Sequence, residues 1–317
     1  MKPAEPKAGM HSAGIEPRRV AVGDCWCSRC SVADLVREVD TLVRHPRLRP
    51  RAILFLNAHV FCLAADHPGL HRQLEAARIV AVDGVSMVLA AWVLRGTWLP
   101  RCMMTVAFDA YVEAQGLAPA RALLVGTTRA EAEAAAANLV AHRRHLEVVA
   151  AISGYETDET YDRLFRDNAG VDLILLGLGS PRTEELIGRA TVRRPEAVVW
   201  HIGAGTIKCW AGTKQRAPGW VGRWGLEWGH RLIHEPHTRG RYLVGLPRFA
   251  LRVGRLWVRQ ALGLPMNLCQ VGRAVPRPPL PARQGQRALP GSCPPCAPPA
   301  ASRLPEPRRR LAHHPEF

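Results

Sequence analysis

Short apolar runs alternate with segments of helical periodicity through the middle of the chain, and each apolar run ends at a glycine or a polar residue. Runs of this length, rich in aliphatic residues and bounded by turn residues, are typical of buried strands. The predicted strands are residues 52–56, 78–82, 121–125, 146–152, 171–176 and 197–202. The predicted helices are residues 68–77, 85–94 and 158–168, with three more that begin after Ser31, Thr128 and Ser180. The repetition of strand, turn and helix predicts an α/β fold with a mostly parallel sheet and helices on both faces.

Three of these helix starts carry capping signals. Ser31 precedes Asp34 by three residues, and Thr128 precedes Glu131 by three residues, which is the spacing of a capping box. We predict Ser180 as the N-cap of a further helix, with Pro181 at its first position.

The composition changes towards both ends of the chain. We expect residues 1–30 to be a flexible leader and residues 31–205 to form the α/β core. Residues 206–262 are rich in Trp, Arg and Gly, and form a basic C-terminal appendage in this interpretation. Residues 263–317 hold 13 of the 26 prolines, which predicts a disordered tail.

The charge of the chain is large and uneven. The 317 residues include 43 Lys and Arg against 27 Asp and Glu, a formal net charge of +16. Residues 206–262 hold 11 basic and 2 acidic residues, and residues 263–317 hold 8 basic and 2 acidic residues. This asymmetry indicates an anionic partner: a nucleic acid, a phosphorylated ligand or an acidic membrane surface.

Composition also excludes some classes of protein. A hydrophobic fraction of 47% excludes a wholly disordered chain. No apolar run reaches the roughly 18 residues that a membrane-spanning helix needs. The first residues are polar and hold no apolar segment of a secretory signal. We therefore expect the chain to be cytoplasmic.

The nine cysteines do not predict a disulfide framework in a cytoplasmic chain of this size. Cys25, Cys27 and Cys30 form one metal-like cluster, and Cys293 and Cys296 form another. Zinc takes four ligands, usually from paired motifs at a suitable interval, whereas these clusters lie near opposite ends of the chain. We expect no metal site.

Glycine-containing turns follow several of the predicted strands. Parallel sheets bind ligands at the carboxyl ends of their strands, where glycine lets the backbone approach a nucleotide and a helix N-terminus favours phosphate. Gly126, Gly179 and Gly205 are therefore candidate substrate-binding residues, with simple turn geometry as the alternative for each. The chain has no complete dinucleotide-binding glycine motif and no phosphate-loop lysine, so neither site is indicated.

Segments spread between residues 55 and 249 match one family pattern in order and spacing. They are FLNAH (55–59), ARIVAVDGVSMV (77–88), LLVG (123–126), LILLGLGSPRTEELI (173–187), HIGAGTIKCWAGTKQRAPGW (201–220), GLEWGHRLIHEP (225–236) and RYLVGLPRF (241–249). Together they resemble the WecG/TagA/CpsF family of bacterial glycosyltransferases, and the block from residue 214 onwards is the most specific part.

The resemblance implies a modified Rossmann-like core with a C-terminal appendage. It implies an inverting transferase that needs neither a metal nor another cofactor. Such an enzyme moves an N-acetylmannosamine-type sugar, or a related hexose, from a UDP-sugar to a polyprenyl-diphosphate-linked sugar. The reaction takes place at the cytoplasmic face of the membrane, in exopolysaccharide, surface antigen or teichoic acid biosynthesis. The family also suggests a homo-oligomer.

An inverting transfer needs a base that takes a proton from the acceptor hydroxyl. Asp83 follows a predicted buried strand and matches the proposed base of the family, with a helix-cap or turn Asp as the alternative. Asn57 matches an active-site Asn that would hold the sugar or orient the base, with an Asx turn as the alternative. The family usually has Thr at the position of Phe55, which puts one substrate hydrogen bond in doubt.

Two further loops carry residues that match the family site. Arg101 matches an arginine that would stabilise the leaving UDP when no metal does so; a solvated loop arginine is the alternative. Arg182 keeps the positive charge of a family turn. Thr183 replaces a Gln in that turn, and its shorter side chain would alter the donor preference.

The appendage supplies basic candidates for phosphate binding. Arg231 and Arg241 fall on appendage arginines of the family, which would clamp the diphosphate of donor or acceptor as the appendage closes on the site. Arg216 belongs to the same basic block, together with Lys214 and Arg223. A solvated surface residue is the alternative for each of them.

A basic amphipathic helix is predicted over residues 243–262, with Pro247 in its first turn. The segment 239–262 fits a peripheral helix whose arginines meet the headgroups of an anionic membrane surface. The alternative is a helix packed on the core with a charged outer face.

Two other functions stay open on the sequence. Phe55 and Thr183 are compatible with a catalytically impaired relative that acts as a binding partner. A nucleic-acid-binding protein is suggested by the charge alone. We expect no nucleic-acid partner, because aromatic residues make up only 6% of the chain and no segment resembles a nucleic-acid-binding module.

Overall fold

A computed structural model describes residues 18–142, 145–216, 221–222, 229 and 239–264 of the protein. These residues form eight strands and ten helices. The strands are Arg19–Val22 (β1), Cys25–Ser28 (β2), Ala52–Leu56 (β3), Ile79–Val82 (β4), Ala120–Gly126 (β5), Leu146–Ile152 (β6), Leu173–Gly177 (β7) and Val198–His201 (β8). The helices are Val32–Arg44 (α1), Ala58–Asp66 (α2), Pro68–Ala76 (α3), Val85–Arg95 (α4), Met104–Glu113 (α5), Arg129–His142 (α6), Asp158–Asp167 (α7), Arg182–Arg193 (α8), Ala204–Trp210 (α9) and Arg239–Ala261 (α10).

Six strands form one parallel sheet in the order β4-β3-β8-β7-β5-β6. In sequence order, β3 and β4 lie at one edge of the sheet, β5 and β6 lie at the other edge, and β7 and β8 lie between the two pairs. All carboxyl ends therefore lie along one edge of the sheet. The predicted α/β fold is confirmed, and all six predicted strands are present within two residues of their predicted bounds.

Helices cover both faces of the sheet, as predicted. Leu54 and Leu56 belong to one apolar cluster and Ile53 and Phe55 to the other, because successive side chains of a strand point to opposite faces. The first cluster joins the sheet to α2, α3, α4, α7, α8 and α10. The second joins it to α1, α5, α6 and α9.

The strands β1 and β2 form an antiparallel hairpin within the segment predicted as a flexible leader. That prediction is wrong for residues 18–30. Trp26 and Cys27 are buried, and the Ser28 hydroxyl accepts a hydrogen bond of 3.1 Å from the backbone N–H of Val80. The hairpin thus satisfies part of the exposed edge of β4, which would otherwise present unpaired backbone groups. Residues 1–17 lie outside the described residues.

The cysteines of this hairpin serve the core. Cys25, Cys27 and Cys30 are buried free thiols, and burial raises the pKa of Cys27 and of Cys30 to about 12. They therefore stay protonated at neutral pH. Within the described part of the chain, no group of three or more His, Cys, Asp or Glu residues could hold a metal ion. Cys293 and Cys296 lie outside it.

Helix α10 starts four residues earlier than predicted, so Pro247 lies inside the helix and its predicted place in the first turn is wrong. A proline inside a helix costs a hydrogen bond, which packing offsets here. Phe249 and Val253 are buried against the core, and Arg252 bonds the Asp24 carboxylate at 2.7 Å between Nη2 and Oδ1. The inward face of α10 thus fits the alternative of a helix packed on the core. None of the described helices has the length and apolar character needed to cross a membrane.

The predicted core and appendage belong to one compact unit, residues 1–271. The predicted boundary between residues 205 and 206 falls inside α9, which runs from Ala204 to Trp210. The predicted disordered tail from residue 265 onwards lies outside the described residues.

Candidate functional site

Three polar residues stand at the carboxyl ends of three neighbouring strands. Asn57 follows β3, Asp83 follows β4, and His201 is the last residue of β8. The backbone N–H of Asp83 donates a hydrogen bond of 2.9 Å to the Leu56 carbonyl, which continues the β3–β4 ladder to the end of both strands. Asp83 and Asn57 are therefore neighbours at this edge of the sheet.

Asp83 lies half-buried at the start of α4. Gly84 follows it with φ of +101°, a conformation that a residue with a side chain rarely adopts, so the turn after Asp83 favours glycine. Burial lowers the pKa of His201 and raises that of Cys102, and the charge of the Asp83 carboxylate adds a smaller upward effect on both.

Asn57 is the N-cap of α2. Its side-chain oxygen accepts a hydrogen bond of 3.0 Å from the backbone N–H of Val60. This is the turn that was the alternative to a substrate role. The cap uses only the amide oxygen, and the two N–H donors of the Asn57 amide are available to orient a hydroxyl or a carboxylate.

Arg101 lies at the same edge of the sheet, where a backbone hydrogen bond fixes its position. The N–H of Cys102 donates a hydrogen bond of 2.8 Å to the Val82 carbonyl, so the residue before it lies beside the end of β4. The Arg101 guanidinium donates to the Gly222 carbonyl, which links this edge to the basic segment after the sheet.

Glu184 and His201 form a buried polar pair that the sequence analysis missed. Their side chains are 1% and 5% exposed, and Glu184 Oε1 lies 3.9 Å from His201 Nδ1. The Ser180 hydroxyl donates to Glu184 Oε1 at 2.7 Å. Among the described residues, Glu184 Oε2 and His201 Nδ1 have no hydrogen-bond partner. Buried polar atoms without a partner are rare in folded proteins, so this pair is a candidate for a role beyond packing.

His201 is the last residue of β8 and the first residue of the segment HIGAG. The sequence alone could not identify it as a site residue, because it does not tell which way a side chain at the end of a strand points. Burial lowers the pKa of His201 below its ordinary value of 6.5, against the opposite effect of Glu184 and Asp83. The imidazole is therefore neutral at neutral pH, next to the candidate base.

We expect this buried imidazole to make stability depend on pH. In the unfolded chain His201 binds a proton near pH 6.5, whereas the folded protein resists protonation, so the free energy of unfolding should fall as the pH drops through 6.5. Urea unfolding from about pH 7.5 to about pH 5 should show a shallower decline for His201→Asn than for the parent. Parallel declines in the two proteins would contradict a neutral buried His201.

A second group of loops lies at the ends of β5, β6 and β7. A cavity of about 60 Å³ opens there between Thr127, Gly154, Gly179 and Arg182. Gly179 has φ of +138°, and a side chain at that position would meet no atom within 4 Å, so its face is open to a ligand. Arg182 lies on the rim and donates a hydrogen bond of 2.9 Å to the Glu156 carbonyl.

Gly126 and Thr183 take packing roles instead. A Cβ on Gly126 would lie only 2.3 Å from the Gly177 carbonyl oxygen, so glycine is needed there for the approach of β5 and β7. Thr183 is fully buried, and its hydroxyl accepts a hydrogen bond of 2.8 Å from the Gly179 N–H. Gly126 and Thr183 are therefore both buried, and neither borders open space beside the other predicted site residues.

Helix α8 begins at Arg182 with Pro181 in the N-cap position, so the predicted Ser180 cap is wrong by one residue. The physical reason is that the Ser180 hydroxyl bonds Glu184. The Thr183 hydroxyl instead receives the backbone N–H groups of the preceding turn.

The basic candidates are only partly described. Arg216 bonds Asp109 at 2.6 Å between Nη2 and Oδ1, and the Trp210 indole N–H donates to the same oxygen at 3.0 Å. A Cβ on Gly205 would lie 3.7 Å from Lys214 Nζ, which places an ammonium group beside the start of α9. Arg241 lies in the first turn of α10. The predicted phosphate-binding residues Arg223 and Arg231 lie outside the described residues.

Comparison with known proteins shows similarity to one family and to curated proteins. Residues 20–263 match the family described as "Glycosyl transferase WecG/TagA/CpsF family". The chain is also similar to a protein of Bacillus subtilis (strain 168) named N-acetylglucosaminyldiphosphoundecaprenol N-acetyl-beta-D-mannosaminyltransferase. The two are 25% identical over 183 residues, which are 57% of this chain and 70% of the relative. The matched range begins inside β1 and ends after α10, so it takes in the hairpin as well as the basic helix.

Proposed function

The chain belongs to the WecG/TagA/CpsF glycosyltransferase family and is a hexosyltransferase of cell-envelope polymer biosynthesis; from this premise we propose its reaction. The proposed enzyme inverts the anomeric centre of an N-acetylmannosamine-type sugar, or a related hexose, as it moves that sugar from UDP to a polyprenyl-diphosphate-linked sugar. The name of the Bacillus relative, an N-acetylmannosaminyltransferase for a lipid-linked N-acetylglucosamine, supports the transferred sugar and the acceptor class.

The proposal depends above all on Asp83, which is half-buried beside Asn57 and acts electrostatically on His201. In the proposed step the Asp83 carboxylate takes the proton of the acceptor hydroxyl while that oxygen attacks the anomeric carbon. UDP leaves from the opposite face of the sugar. The Asn57 amide orients the hydroxyl, and the neutral His201 with Glu184 holds the carboxylate in its position.

Arginines supply the positive charge for the leaving diphosphate in this proposal. Arg101 lies at the end of β4, and Arg182 lies on the rim of the cavity between β5, β6 and β7. A guanidinium keeps its charge at any relevant pH and binds phosphate oxygens in pairs, so it serves where a divalent ion serves in other transferases.

Metal removal is therefore expected to leave the reaction unchanged. UDP release by the purified protein should proceed at the same rate after dialysis against EDTA as before it. A loss of activity that added Mg²⁺ or Mn²⁺ restores would contradict the assignment of this role to the arginines.

The acceptor places the proposed reaction at the inner face of the cell membrane, with the protein peripherally bound. Products would enter an exopolysaccharide, a surface antigen or a teichoic acid. Helix α10 carries six arginines and no acidic residue, which suits contact with an anionic lipid surface.

The test is UDP release over a panel of UDP-sugars, with and without lipid-linked acceptor extracted from membranes. Acceptor-dependent release from one donor would support the proposal and identify the sugar. UDP binding without release from any donor, in folded protein with acceptor present, would favour a catalytically impaired binding partner. Failure to bind UDP would overturn the proposal.

A further inference from the structure

Helix α4 exposes a continuous apolar face directly after the proposed base. Val85, Leu89, Trp92 and Val93 are 37%, 46%, 49% and 40% exposed. Their spacing puts them on one side of the helix, opposite buried residues such as Met87 and Leu94. The helix holds no acidic residue, and its one charged side chain is Arg95 in the last turn.

Trp98 extends this face beyond the end of the helix. It is 57% exposed, and its ring stacks on Trp92 with 5.8 Å between centroids. Single exposed apolar residues are ordinary on a protein surface, but a contiguous patch marks an interaction site. Tryptophan is the side chain most enriched where protein meets the headgroup region of a bilayer.

A cleft rich in arginine adjoins the same end of α4. It has a volume of about 590 Å³, and its lining includes Arg18, Arg19 and Arg29 of the hairpin region, Arg95 of α4 and Gln260 of α10. None of the described residues that line it is acidic. Arg19 is held by the Ala77 carbonyl and by the Trp26 ring, so this side of the cleft is fixed by the core. Such a site complements phosphate-bearing headgroups.

We propose that the exposed face of α4, Trp98 and the arginine cleft form a docking surface for a bilayer of anionic phospholipid. Helix α4 lies flat in the interface, with its apolar face among the upper acyl chains and phosphates in the cleft at one end. Asp83 stands at the other end, about 16 Å away along eleven helical residues. This orientation, which relies on the proposed function only for the nature of the acceptor, turns the base towards a diphosphate at headgroup depth.

Charge favours a bilayer over a second copy of the chain as the occupant. In a symmetric dimer through α4, the arginine cleft of one chain would lie close to the arginine cleft of the other. The exposed arginines of α10, such as Arg255 and Arg259, would likewise lie close to the same residues of the second chain. Like charges brought together oppose association, whereas an anionic lipid surface attracts all of them. The exposed residues Leu251 and Val258 add apolar area on α10, the helix whose Gln260 lines the cleft.

Vesicle flotation of the full chain tests the surface without any sugar substrate. We expect the parent to float with vesicles of phosphatidylcholine and phosphatidylglycerol, and to float far less with phosphatidylcholine alone. Leu89→Ser with Trp98→Ser, and separately Arg18→Gln with Arg95→Gln, should each weaken binding by at least about tenfold. The matched controls are Val140→Ser with Val192→Ser and Arg47→Gln with Arg163→Gln, exposed residues away from this surface, which should bind like the parent.

Equal flotation of the parent and both surface variants would overturn the proposal. A second contradicting result would be a stable dimer of the parent in ultracentrifugation that becomes a monomer in the Leu89→Ser with Trp98→Ser variant. Circular dichroism confirms that each variant is folded. The outcome is separable from that of the proposed function. A chain that floats but releases no UDP contradicts the reaction alone, and one that releases UDP but does not float contradicts the docking surface alone.

Discussion

Asp83→Asn is expected to lower kcat for acceptor-dependent UDP release by about 10²–10⁴-fold, the range of a general base. The amide has nearly the shape of the carboxylate but cannot take the proton of the acceptor hydroxyl. Binding of UDP should be unchanged, because the proposed phosphate contacts come from arginines. Steady-state rates and UDP titration of the same preparations measure both quantities.

The control for this substitution is Asp167→Asn, which makes the same chemical change on the exposed surface of α7. It should keep the parent rate. Asp83 lies at a helix start, so thermal unfolding of both variants must show that the fold is intact. An Asp83→Asn enzyme that is folded and keeps more than about a tenth of the parent kcat would exclude Asp83 as the base.

Arg78→Met is expected to destabilise the protein by about 3–5 kcal/mol. Arg78 opens the predicted second strand of the sheet, and its Nη2 lies 2.9 Å from Oε1 of Glu38 on α1. Both side chains are more than nine-tenths buried. Loss of the guanidinium leaves the Glu38 carboxylate buried without its charge partner, which costs more than the pair itself contributes. Urea unfolding at neutral pH measures the change.

The double variant Glu38→Leu with Arg78→Met identifies the cause. If an isolated buried charge explains the loss, removal of that charge should restore most of the free energy of unfolding. A double variant as unstable as Arg78→Met would instead attribute the loss to packing of the Arg78 side chain.

Much of the fold follows from local signals in the sequence. The strand β6 has its predicted bounds, Leu146–Ile152, because a mainly apolar run between turns is distinctive. The Ser31–Asp34 capping box is present as predicted, since a cap needs only residues close in sequence. The neighbourhood of Asp83 and Asn57 was predictable too, because parallel strands bring their carboxyl ends to one edge.

The misses come from contacts between distant residues. Helices α2 and α5 were not predicted, because helices buried on more than one side lose the contrast between apolar and polar faces. The hairpin was taken for a leader because its strands have only four residues each, and its burial depends on β4 and α10. The pairing of Glu184 with His201 joins two elements across the sheet edge, which no spacing in the sequence encodes.

The ion pair between Asp24 and Arg252 has a consequence for synthesis of the protein. Its partners are 228 residues apart, so a ribosome working at about 5–20 residues per second makes the second one about 10–50 s after the first. During that interval Phe61 and its neighbours on α2 lack the cover that Phe249 later provides. The surface around Asp24 and Phe61 is thus completed only when α10 has been made, and the yield of folded enzyme depends on what shields this surface in the meantime.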